Sequence, residues 1–239
     1  MKAIVLSAGK GTRLGNLTHE IPKPMLPVNG RPVLEHIIAW LKINGFFDIG
    51  VNLYTMSEQI KAYFGDGGNL GVNIHYVYET NLSGTAGAVP KFKDWLADDE
   101  NFLVVYGDIL TNQTLSPLTD THIRHNAFAT LLMHRRKTSN SFIELGPDGR
   151  IVNFLERPNE AEMKRLETDN PRGFLVNSAV QIMSRESLDY IISNDCFDLP
   201  RDVYVPNCKT KRIYGLELTG KRVAIDSPER YKLAGELFQ

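Results

Sequence analysis

The chain has 239 residues, of which 42% are hydrophobic and 23% charged, and its formal net charge is −1. This composition is ordinary for a globular protein, and the small net charge argues against general binding to nucleic acid or to a membrane surface. No apolar run approaches the ~18 residues of a membrane-spanning helix, and the N-terminus lacks the pattern of a signal peptide. Cys196 and Cys208 lack metal-site spacing, so we expect free thiols and a cytoplasmic protein.

Strand-like and helix-like segments alternate through the first half of the chain. The pattern predicts strands at 2–6, 49–54, 72–78 and 102–106, and helices at 32–44, at 85–96 and up to residue 64 after a capping box at 55–58. Such alternation is typical of an open parallel sheet with helices on both faces. Because ligands bind beyond the carboxyl ends of the strands in these sheets, we expect the loops at 9–13 and 107–108 to form one cleft.

The second half of the chain has a different pattern. It predicts strands at 128–134, 141–145, 151–154, 174–183 and 212–218, with a tight turn at 146–149. A helix is expected at 184–193, and Ser227 followed by Pro228 predicts the start of a final helix. We interpret this half as a substrate-facing lobe of the same domain.

Two cationic features near the N-terminus favour the binding of several phosphates. Gly9 and Gly11 follow the first strand and permit a loop whose successive amides can bind an anion. Arg13 adds a forked donor that matches phosphate oxygens. Lys23 lies between two prolines, which hold the backbone stiff and extended, so this lysine loses little backbone entropy on meeting an anion.

Two aspartates are candidates for a metal site. Asp108 follows a buried strand, and Asp226 precedes the last predicted helix. Mg²⁺ in proteins is commonly held by one or two carboxylates together with substrate phosphates. The loop, the lysine and the two carboxylates together predict a site for a nucleoside triphosphate with Mg²⁺, or with Mn²⁺ as a substitute.

In order and spacing, the motifs resemble those of the sugar-1-phosphate nucleotidyltransferases, and most closely those of the mannose-1-phosphate or heptose-1-phosphate guanylyltransferases. The matching segments are Leu6–Leu14 (L-x-A/G-G-x-G-T-R-L), Pro22–Pro24 (P-K-P), Gly107–Asp108 (the metal motif), Glu156–Pro158 (E-K-P, with Arg157 for lysine) and Asn177–Val180 (N-x-G-I/V). The resemblance implies a single Rossmann-like three-layer α/β/α domain with a mostly parallel central sheet. It would span 1–239, with a nucleotide-binding half at 1–125 and a sugar-phosphate-binding half at 126–239.

The resemblance also implies a reaction and a role for each matching residue. Family members join a sugar 1-phosphate to a nucleoside triphosphate in nucleotide-sugar biosynthesis, releasing pyrophosphate. The implied catalytic residues are Arg13, Lys23 and Asp108, and the implied metal ligands are Asp108 and Asp226. The implied nucleotide-binding residues are Leu6, Ala8, Gly9, Gly11, Thr12, Arg13, Glu79, Gly84 and Thr85. The implied sugar-phosphate-binding residues are Gly107, Glu156, Arg157 and Asn177.

The base is predicted from Glu79 and from Gly84–Gly87, which occupy the segment that reads the base in this family. This segment is similar to the L-G-T-A-G form of mannose-1-phosphate guanylyltransferases, with Ser83 as an extra residue. A carboxylate only accepts hydrogen bonds, which suits the N1–H and N2–H groups of guanine, also suits N4–H of cytosine, and suits uracil and thymine poorly. We therefore predict GTP. The alternative is that Glu79 points to solvent and backbone groups read the base.

Departures from the family pattern leave the sugar open. Ala179 replaces the usual glycine after Asn177, no glycine lies in 140–143, and Asp226 stands where several cytidylyltransferases have their late aspartate. A cytidylyltransferase acting on another sugar phosphate or on phosphocholine is therefore an alternative, and a non-catalytic nucleotide sensor is a second one. No β-helical extension is present in this sequence, and we predict a monomer or a homodimer formed by another surface.

Overall fold

The structure is a computed structural model that describes residues 1–171 and 173–238. Strands in this part of the chain are, in order, β1 (Ala3–Leu6), β2 (Pro27–Val28), β3 (Arg31–Pro32), β4 (Asp48–Leu53), β5 (Asn73–Tyr78), β6 (Asn101–Tyr106), β7 (Ile109–Thr111), β8 (Ala129–Arg136), β9 (Ser141–Leu145), β10 (Ile151–Glu156), β11 (Phe174–Ser184), β12 (Ile213–Glu217) and β13 (Arg222–Ala224).

The α-helices are α1 (Val33–Ile43), α2 (Ser57–Phe64), α3 (Gly84–Gly87), α4 (Ser116–Arg124), α5 (Glu160–Asp169), α6 (Arg185–Asn194), α7 (Val205–Asn207) and α8 (Pro228–Leu237). Short 3₁₀ segments lie at Thr12–Thr18, Lys23–Met25, Gly68–Leu70 and Val89–Phe92, and a π-helical turn lies at Leu199–Tyr204. In the described part of the chain no helix is both long enough and apolar enough to cross a bilayer.

The chain divides into two compact units. Unit 1 contains Met1–Ser83, Lys91–Leu115 and the C-terminal segment that begins at Thr219, and unit 2 contains Gly84–Pro90 and Ser116–Leu218. The predicted halves, 1–125 and 126–239, concern the ligand that each part binds and stay a prediction. The boundaries of the compact units differ from those of the predicted halves, because the C-terminal segment that begins at Thr219 belongs to unit 1.

Unit 1 is built on four parallel strands in the order β5-β4-β1-β6. Ala3 of β1 pairs with Ile49 on one side and Leu103 on the other, and all three side chains are fully buried. Continuous apolar runs are typical of parallel strands that are covered on both faces. β7 and β13 pair separately as an antiparallel ribbon, which joins the C-terminal segment to the chain just after β6.

Unit 2 contains strands β10-β9-β11-β8-β12, antiparallel except for the pair β8–β12. The long strand β11 is irregular between Asn177 and Gln181, where its register against β8 shifts. Ala179 within this bulge has a φ of 62°, in the left-handed region that favours glycine. A bulge bends a strand and redirects its side chains, so it sets the direction of Asn177.

The predicted fold class, mixed α/β with a mostly parallel central sheet, is confirmed, and two predicted helical features are wrong. Residues 85–96 form the short helix α3 and a separate 3₁₀ turn instead of one helix. Pro90 lies in this segment, and proline both lacks an amide donor and obstructs the preceding turn. The second incorrect prediction is the capping box at 55–58. Helix α2 begins after Met56, which has a φ of 52°, and no side chain caps the helix.

Candidate active site

The first loop begins where β1 ends, at Leu6. Ser7 and Ala8 are buried, whereas Gly9 and Lys10 are exposed. Gly11 has a φ of 67°, and a Cβ built on it would lie 3.0 Å from Thr18 Cγ2, so both conformation and space favour glycine. The chain then forms the 3₁₀ turn that places Thr12 and Arg13 in solvent. The loop therefore presents exposed residues at the carboxyl end of β1, where a ligand of a parallel sheet binds.

Lys23 and Asp108 form a close ion pair at this end of unit 1. Lys23 Nζ lies 2.6 Å from Asp108 Oδ2, and the side chains are only 13% and 22% exposed. Pro22 is extended, but the prediction of an extended backbone at Lys23 is wrong, because Lys23–Met25 forms a 3₁₀ turn in which the Met25 amide donates to the Pro22 carbonyl at 2.7 Å. Pro24 is buried, so the lysine backbone is still held on both sides. A partly buried ammonium must be compensated by a partner, and here the predicted metal ligand supplies the compensation.

Asp226 lies between two arginines. Arg13 Nη1 is 3.5 Å from Asp226 Oδ2, and Arg230 Nη1 lies 3.0 Å and 3.1 Å from the two carboxylate oxygens. Arg230 is on the first turn of α8, whose N-cap Ser227 accepts a hydrogen bond from the Arg230 amide. The i,i+4 spacing of Asp226 and Arg230 was the available signal for this contact; sequence reasoning missed it.

The two aspartates come together through the β7–β13 ribbon. Ala224 pairs with Ile109, and the Ile225 amide then donates to the Asp108 carbonyl across 2.8 Å. Asp226 is the next residue. The ribbon also follows directly after β6, whose Tyr106 is in register with Leu6 of β1. Arg13, Lys23 and both carboxylates therefore belong to one end of unit 1, as the motifs predict.

The chemistry of these donors fits Mg²⁺, because carboxylate oxygens are the ligands that this ion prefers. In the described part of the chain, no group of three or more histidine, cysteine, aspartate or glutamate side chains could hold a metal alone. Two carboxylates leave several positions of an octahedral ion for other oxygens. The residues thus suit an ion that is shared with substrate phosphates.

Glu79 is buried, and its carboxylate is engaged by the chain itself. Oε1 accepts a hydrogen bond from Asn52 Nδ2 at 2.5 Å, and Oε2 accepts from Ser83 Oγ at 2.6 Å and from the Ser83 amide at 2.9 Å. Only 6% of the residue is exposed. It therefore does not point to solvent, and its two oxygens are not free acceptors in this structure. Its predicted contact with the base stays a prediction.

Gly107 and Gly84 are both positions where the chain packs too closely for a side chain. A Cβ on Gly107 would lie 2.4 Å from Ser7 Oγ and 2.8 Å from the Leu6 carbonyl, so glycine lets the strand-end loops pack together. In unit 2, Gly84 has a φ of 74°, and its Cβ would meet the Phe197 carbonyl at 2.2 Å. Thr85 Oγ1 accepts from the Leu199 amide at 2.9 Å, so its oxygen already holds a neighbouring loop.

In unit 2, Glu156 is the last residue of strand β10 and Arg157 follows it. Burial raises the pKa of the Glu156 carboxyl, and the nearby negative charge of Asp198 raises it further. Arg157 has a φ of 53° and donates its amide to the Asn140 carbonyl at 2.6 Å, and its side chain is exposed. A strained backbone that aims a cation outward, beside a desolvated carboxyl, is typical of a binding site.

Asn177 is half-buried, and its side chain is held by the bulge in β11. Its Oδ1 accepts a hydrogen bond from the Ala179 amide at 2.9 Å, which leaves its amide nitrogen available as a donor. The predicted residues thus divide between the units. Unit 2 holds Gly84, Thr85, Glu156, Arg157 and Asn177, and unit 1 holds the others.

This chain belongs to the nucleotidyl transferase family, whose model matches residues 2–201. The resemblance predicted from the motifs is therefore confirmed, and the predicted enzyme class agrees with it. The family assignment rests on most of the chain and includes every predicted site residue except Asp226.

Three similar relatives, one uridylyltransferase and two guanylyltransferases, differ in the nucleotide for which they are named. A UTP–glucose-1-phosphate uridylyltransferase of Synechocystis is 34% identical over 218 residues, covering 85% of this chain and 54% of the relative. A mannose-1-phosphate guanylyltransferase of Mycobacterium tuberculosis is 31% identical over 204 residues, covering 84% and 54%. A D-glycero-alpha-D-manno-heptose 1-phosphate guanylyltransferase of Aneurinibacillus thermoaerophilus is 27% identical over 241 residues, covering 100% and 99%.

The chain spans about half the length of the first two of these relatives and nearly all of the third. Among solved structures, HddC from Yersinia pseudotuberculosis, complexed with GMP-PN, superposes with a TM-score of 0.79 and 20% identity, covering 100% of this chain and 99% of HddC. This likeness supports the fold. At 20% identity it does not identify the base or the sugar that this chain binds.

Proposed function

We propose that the protein transfers a nucleoside monophosphate from a nucleoside triphosphate to a sugar 1-phosphate, giving a nucleotide sugar and pyrophosphate. An oxygen of the sugar phosphate forms a bond to the α-phosphorus. The bond from the α-phosphorus to the oxygen that bridges to the β-phosphate breaks, and that oxygen leaves with pyrophosphate. The reaction needs no protein nucleophile, so the protein contributes positioning and charge compensation.

The observation that carries this proposal is the pairing of two cations with two carboxylates at one end of unit 1. Lys23 is paired with Asp108, and Arg13 is paired with Asp226. A triphosphate and a divalent ion carry the complementary charges, so they can take the cations and the carboxylates as partners together. Neither could do so alone without leaving like charges facing each other.

Each residue of unit 1 has a role in this scheme. Arg13, whose side chain is 75% exposed, would hold the β- and γ-phosphates and stabilise the departing pyrophosphate through its forked donors. Lys23 would compensate the charge that develops at the α-phosphate, because its ammonium is held and partly desolvated. Mg²⁺, held by Asp108 and Asp226, would supply further charge neutralisation and a template for the phosphate oxygens.

Unit 2 would hold the sugar 1-phosphate. Glu156 can accept hydrogen bonds from sugar hydroxyls, and Asn177 keeps a donor nitrogen free of the bulge contact. Arg157 is exposed and suits the phosphate of the sugar. Burial and the charge of Asp198 raise the pKa of Glu156 despite the opposing effects of Ser141 and Arg157.

We propose GTP as the nucleotide and a mannose-type or heptose-type 1-phosphate as the acceptor. The proposal is supported by the guanylyltransferase among the relatives that matches this chain from end to end. The uridylyltransferase relative makes UTP the second candidate. The acceptor argument from Glu79 adds no support, because its oxygens are engaged by Asn52 and Ser83. A monomer or homodimer in the cytoplasm stays our prediction.

The test is an assay of pyrophosphate release with Mg²⁺ and each of GTP, UTP, CTP and dTTP, paired with mannose, heptose and glucose 1-phosphates. We expect release that depends on the sugar phosphate and is fastest with GTP. Reactions without sugar phosphate control for simple hydrolysis. Release that is fastest with another nucleotide would overturn the choice of GTP. Nucleotide binding without release from any pair would overturn the transfer reaction and favour a sensor.

A further inference from the structure

A chain of buried hydrogen bonds joins the two segments that flank the predicted nucleotide site. The Ser7 amide donates to Asn52 Oδ1 at 2.6 Å, Asn52 Nδ2 donates to Glu79 Oε1 at 2.5 Å, and Ser83 donates twice to Glu79 Oε2. Ser7, Asn52 and Glu79 are 8%, 3% and 6% exposed. All four residues belong to unit 1.

We propose that Glu79 is a positioning residue for the nucleotide site and not the group that reads the base. It holds the loop after β1 through Asn52 and the segment before Gly84 through Ser83. This inference rests on the proposed function, because it concerns the affinity for the nucleoside triphosphate.

The donors and acceptors along this chain of hydrogen bonds can pair in only one orientation of the Asn52 amide. The Ser7 amide can only donate, so it fixes the Asn52 amide with its oxygen toward Ser7 and its nitrogen toward Glu79. Glu79 then meets donors on both of its oxygens, which requires an acceptor on each side. A glutamine at this position would offer one acceptor and one donor. A carboxylate is therefore the side chain that completes this chain of bonds, whatever base binds.

The energetic argument is that Asn52 is the polar residue within the buried part of strand β4. β4 is buried from Ile49 to Leu53, and Asn52 is aligned with Leu6 of β1. An unpaired amide in such a place is costly, whereas a fully bonded one specifies a single arrangement. The carboxylate of Glu79 therefore stabilises the position of Asn52, and Asn52 stabilises the loop that begins at Ser7.

Ser83 gives the chain of bonds its second end. It is the residue by which this segment exceeds the L-G-T-A-G pattern, and it directly precedes Gly84 and Thr85, which the motif assigns to the nucleotide. Both its amide and its hydroxyl donate to Glu79. Loss of the carboxylate would release both loops at once. We expect such a loss to raise KM for the nucleotide while kcat changes little.

The test is a reciprocal exchange between Asn52 and Glu79. In Glu79→Gln, a donor faces a donor, and in Asn52→Asp, two carboxylates face each other. In the double variant Asn52→Asp/Glu79→Gln, the aspartate accepts from Ser7 and from the glutamine nitrogen, and the glutamine oxygen accepts from Ser83. We expect each single change to raise KM for the nucleotide roughly 10-fold, and the double variant to return within about 3-fold of the unmodified protein with the same base preference.

A matched control lies at the other end of the same two strands. Asn73 Nδ2 donates to Asp48 Oδ1 at 3.0 Å, and both residues are exposed. The variants Asn73→Asp, Asp48→Asn and their combination make the same chemical changes far along β4 and β5, and we expect KM to be unchanged in all three. Thermal unfolding of every variant reports whether an effect on KM accompanies a general loss of stability.

Two outcomes would overturn the proposal. One is a double variant as impaired as Glu79→Gln alone, and the other is a double variant whose order of preference among the four nucleotides changes. The first would mean that the bonds to Asn52 do not explain the effect of the carboxylate, and the second would mean that residue 79 contacts the base. If the unmodified protein releases no pyrophosphate with any pair, the proposed function fails. The exchange is then measured as the affinity for a non-hydrolysable GTP analogue, with the same pattern expected.

Discussion

Lys23 donates to Asp108 across 2.6 Å, and this contact joins a lysine held between prolines to a carboxylate just beyond a buried strand. Both side chains are largely buried, so each compensates the charge of the other. The same two residues are predicted to serve phosphate and metal during the reaction. Lys23 and Asp108 thus compensate each other in the absence of ligands, and we expect the phosphate to replace Asp108 as the partner of Lys23 and the metal ion to replace Lys23 as the partner of Asp108.

We predict that Asp108→Asn retains the fold and lowers kcat by roughly 100-fold. An asparagine oxygen can still accept the hydrogen bond from Lys23, so the loop keeps its contact, but the negative charge that would hold Mg²⁺ is lost. Steady-state kinetics and circular dichroism measure the two effects. Asp98→Asn, at an exposed position of unit 1, is the control and should be as active as the unmodified protein. Near-normal turnover in Asp108→Asn would remove this residue from the metal site.

Arg230 is expected to position Asp226 for the metal. Its guanidinium contacts both oxygens of Asp226, and side chains that orient metal ligands typically contribute 10–100-fold in metal affinity. We predict that Arg230→Met raises the Mg²⁺ concentration for half-maximal rate about 10-fold, with little change in rate at saturating Mg²⁺. Lys232→Met, on an exposed residue of the same helix, is the control. An unchanged Mg²⁺ requirement would show that Asp226 does not depend on Arg230.

Ala179 has a left-handed backbone conformation, with a φ of 62°. That conformation costs a residue with a Cβ about 1–2 kcal/mol, part of which glycine loses again through its greater freedom in the unfolded chain. We predict that Ala179→Gly raises the free energy of unfolding by about 1 kcal/mol, measured by urea denaturation. Ala62→Gly, within helix α2, should have the opposite sign. A destabilised Ala179→Gly would contradict the proposed strain.

The raised pKa of Glu156 predicts a pH-dependent cost in stability. In the folded protein the carboxyl keeps its proton to a higher pH than in the unfolded chain, because burial and Asp198 disfavour its charge. The folded state therefore binds more protons in that interval, and stability falls as the pH rises through the folded pKa. The contribution of protonated Glu156 to stability is therefore fully present only when the pH is below the ordinary pKa of a glutamate carboxyl.

We predict that Glu156→Gln is more stable than the unmodified protein at pH 7, and that this difference shrinks as the pH falls through the raised pKa of Glu156 and is lost once the pH is below the ordinary pKa of glutamate. Urea denaturation from pH 4 to pH 8 measures it. The variant should also bind sugar 1-phosphate more weakly, since one acceptor oxygen is lost. A difference in stability that grows as the pH falls would contradict the sign of the shift.

Several elements were predictable because their signals are local. The apolar runs of β1, β4 and β6 and the periodic apolar positions of α1 were found within one or two residues of their observed bounds. The N-cap at Ser227 was also predicted, and its hydroxyl does accept from the Arg230 amide. Helix α5 was missed although its capping box, formed by Asn159 and Glu162, is readable in the sequence.

The sequence by itself determined which residue types stand at the strand ends and in what order, and hence the family. Local chemistry was enough for this, because glycines, prolines and strand-end carboxylates act within their own loops. Only the tertiary structure decided which charges meet. Arg13 reaches Asp226 because the β7–β13 ribbon returns the C-terminal segment to unit 1, and Glu79 turns inward because β4 places Asn52 beside it. Such partners depend on strand register over long separations, which no local pattern encodes.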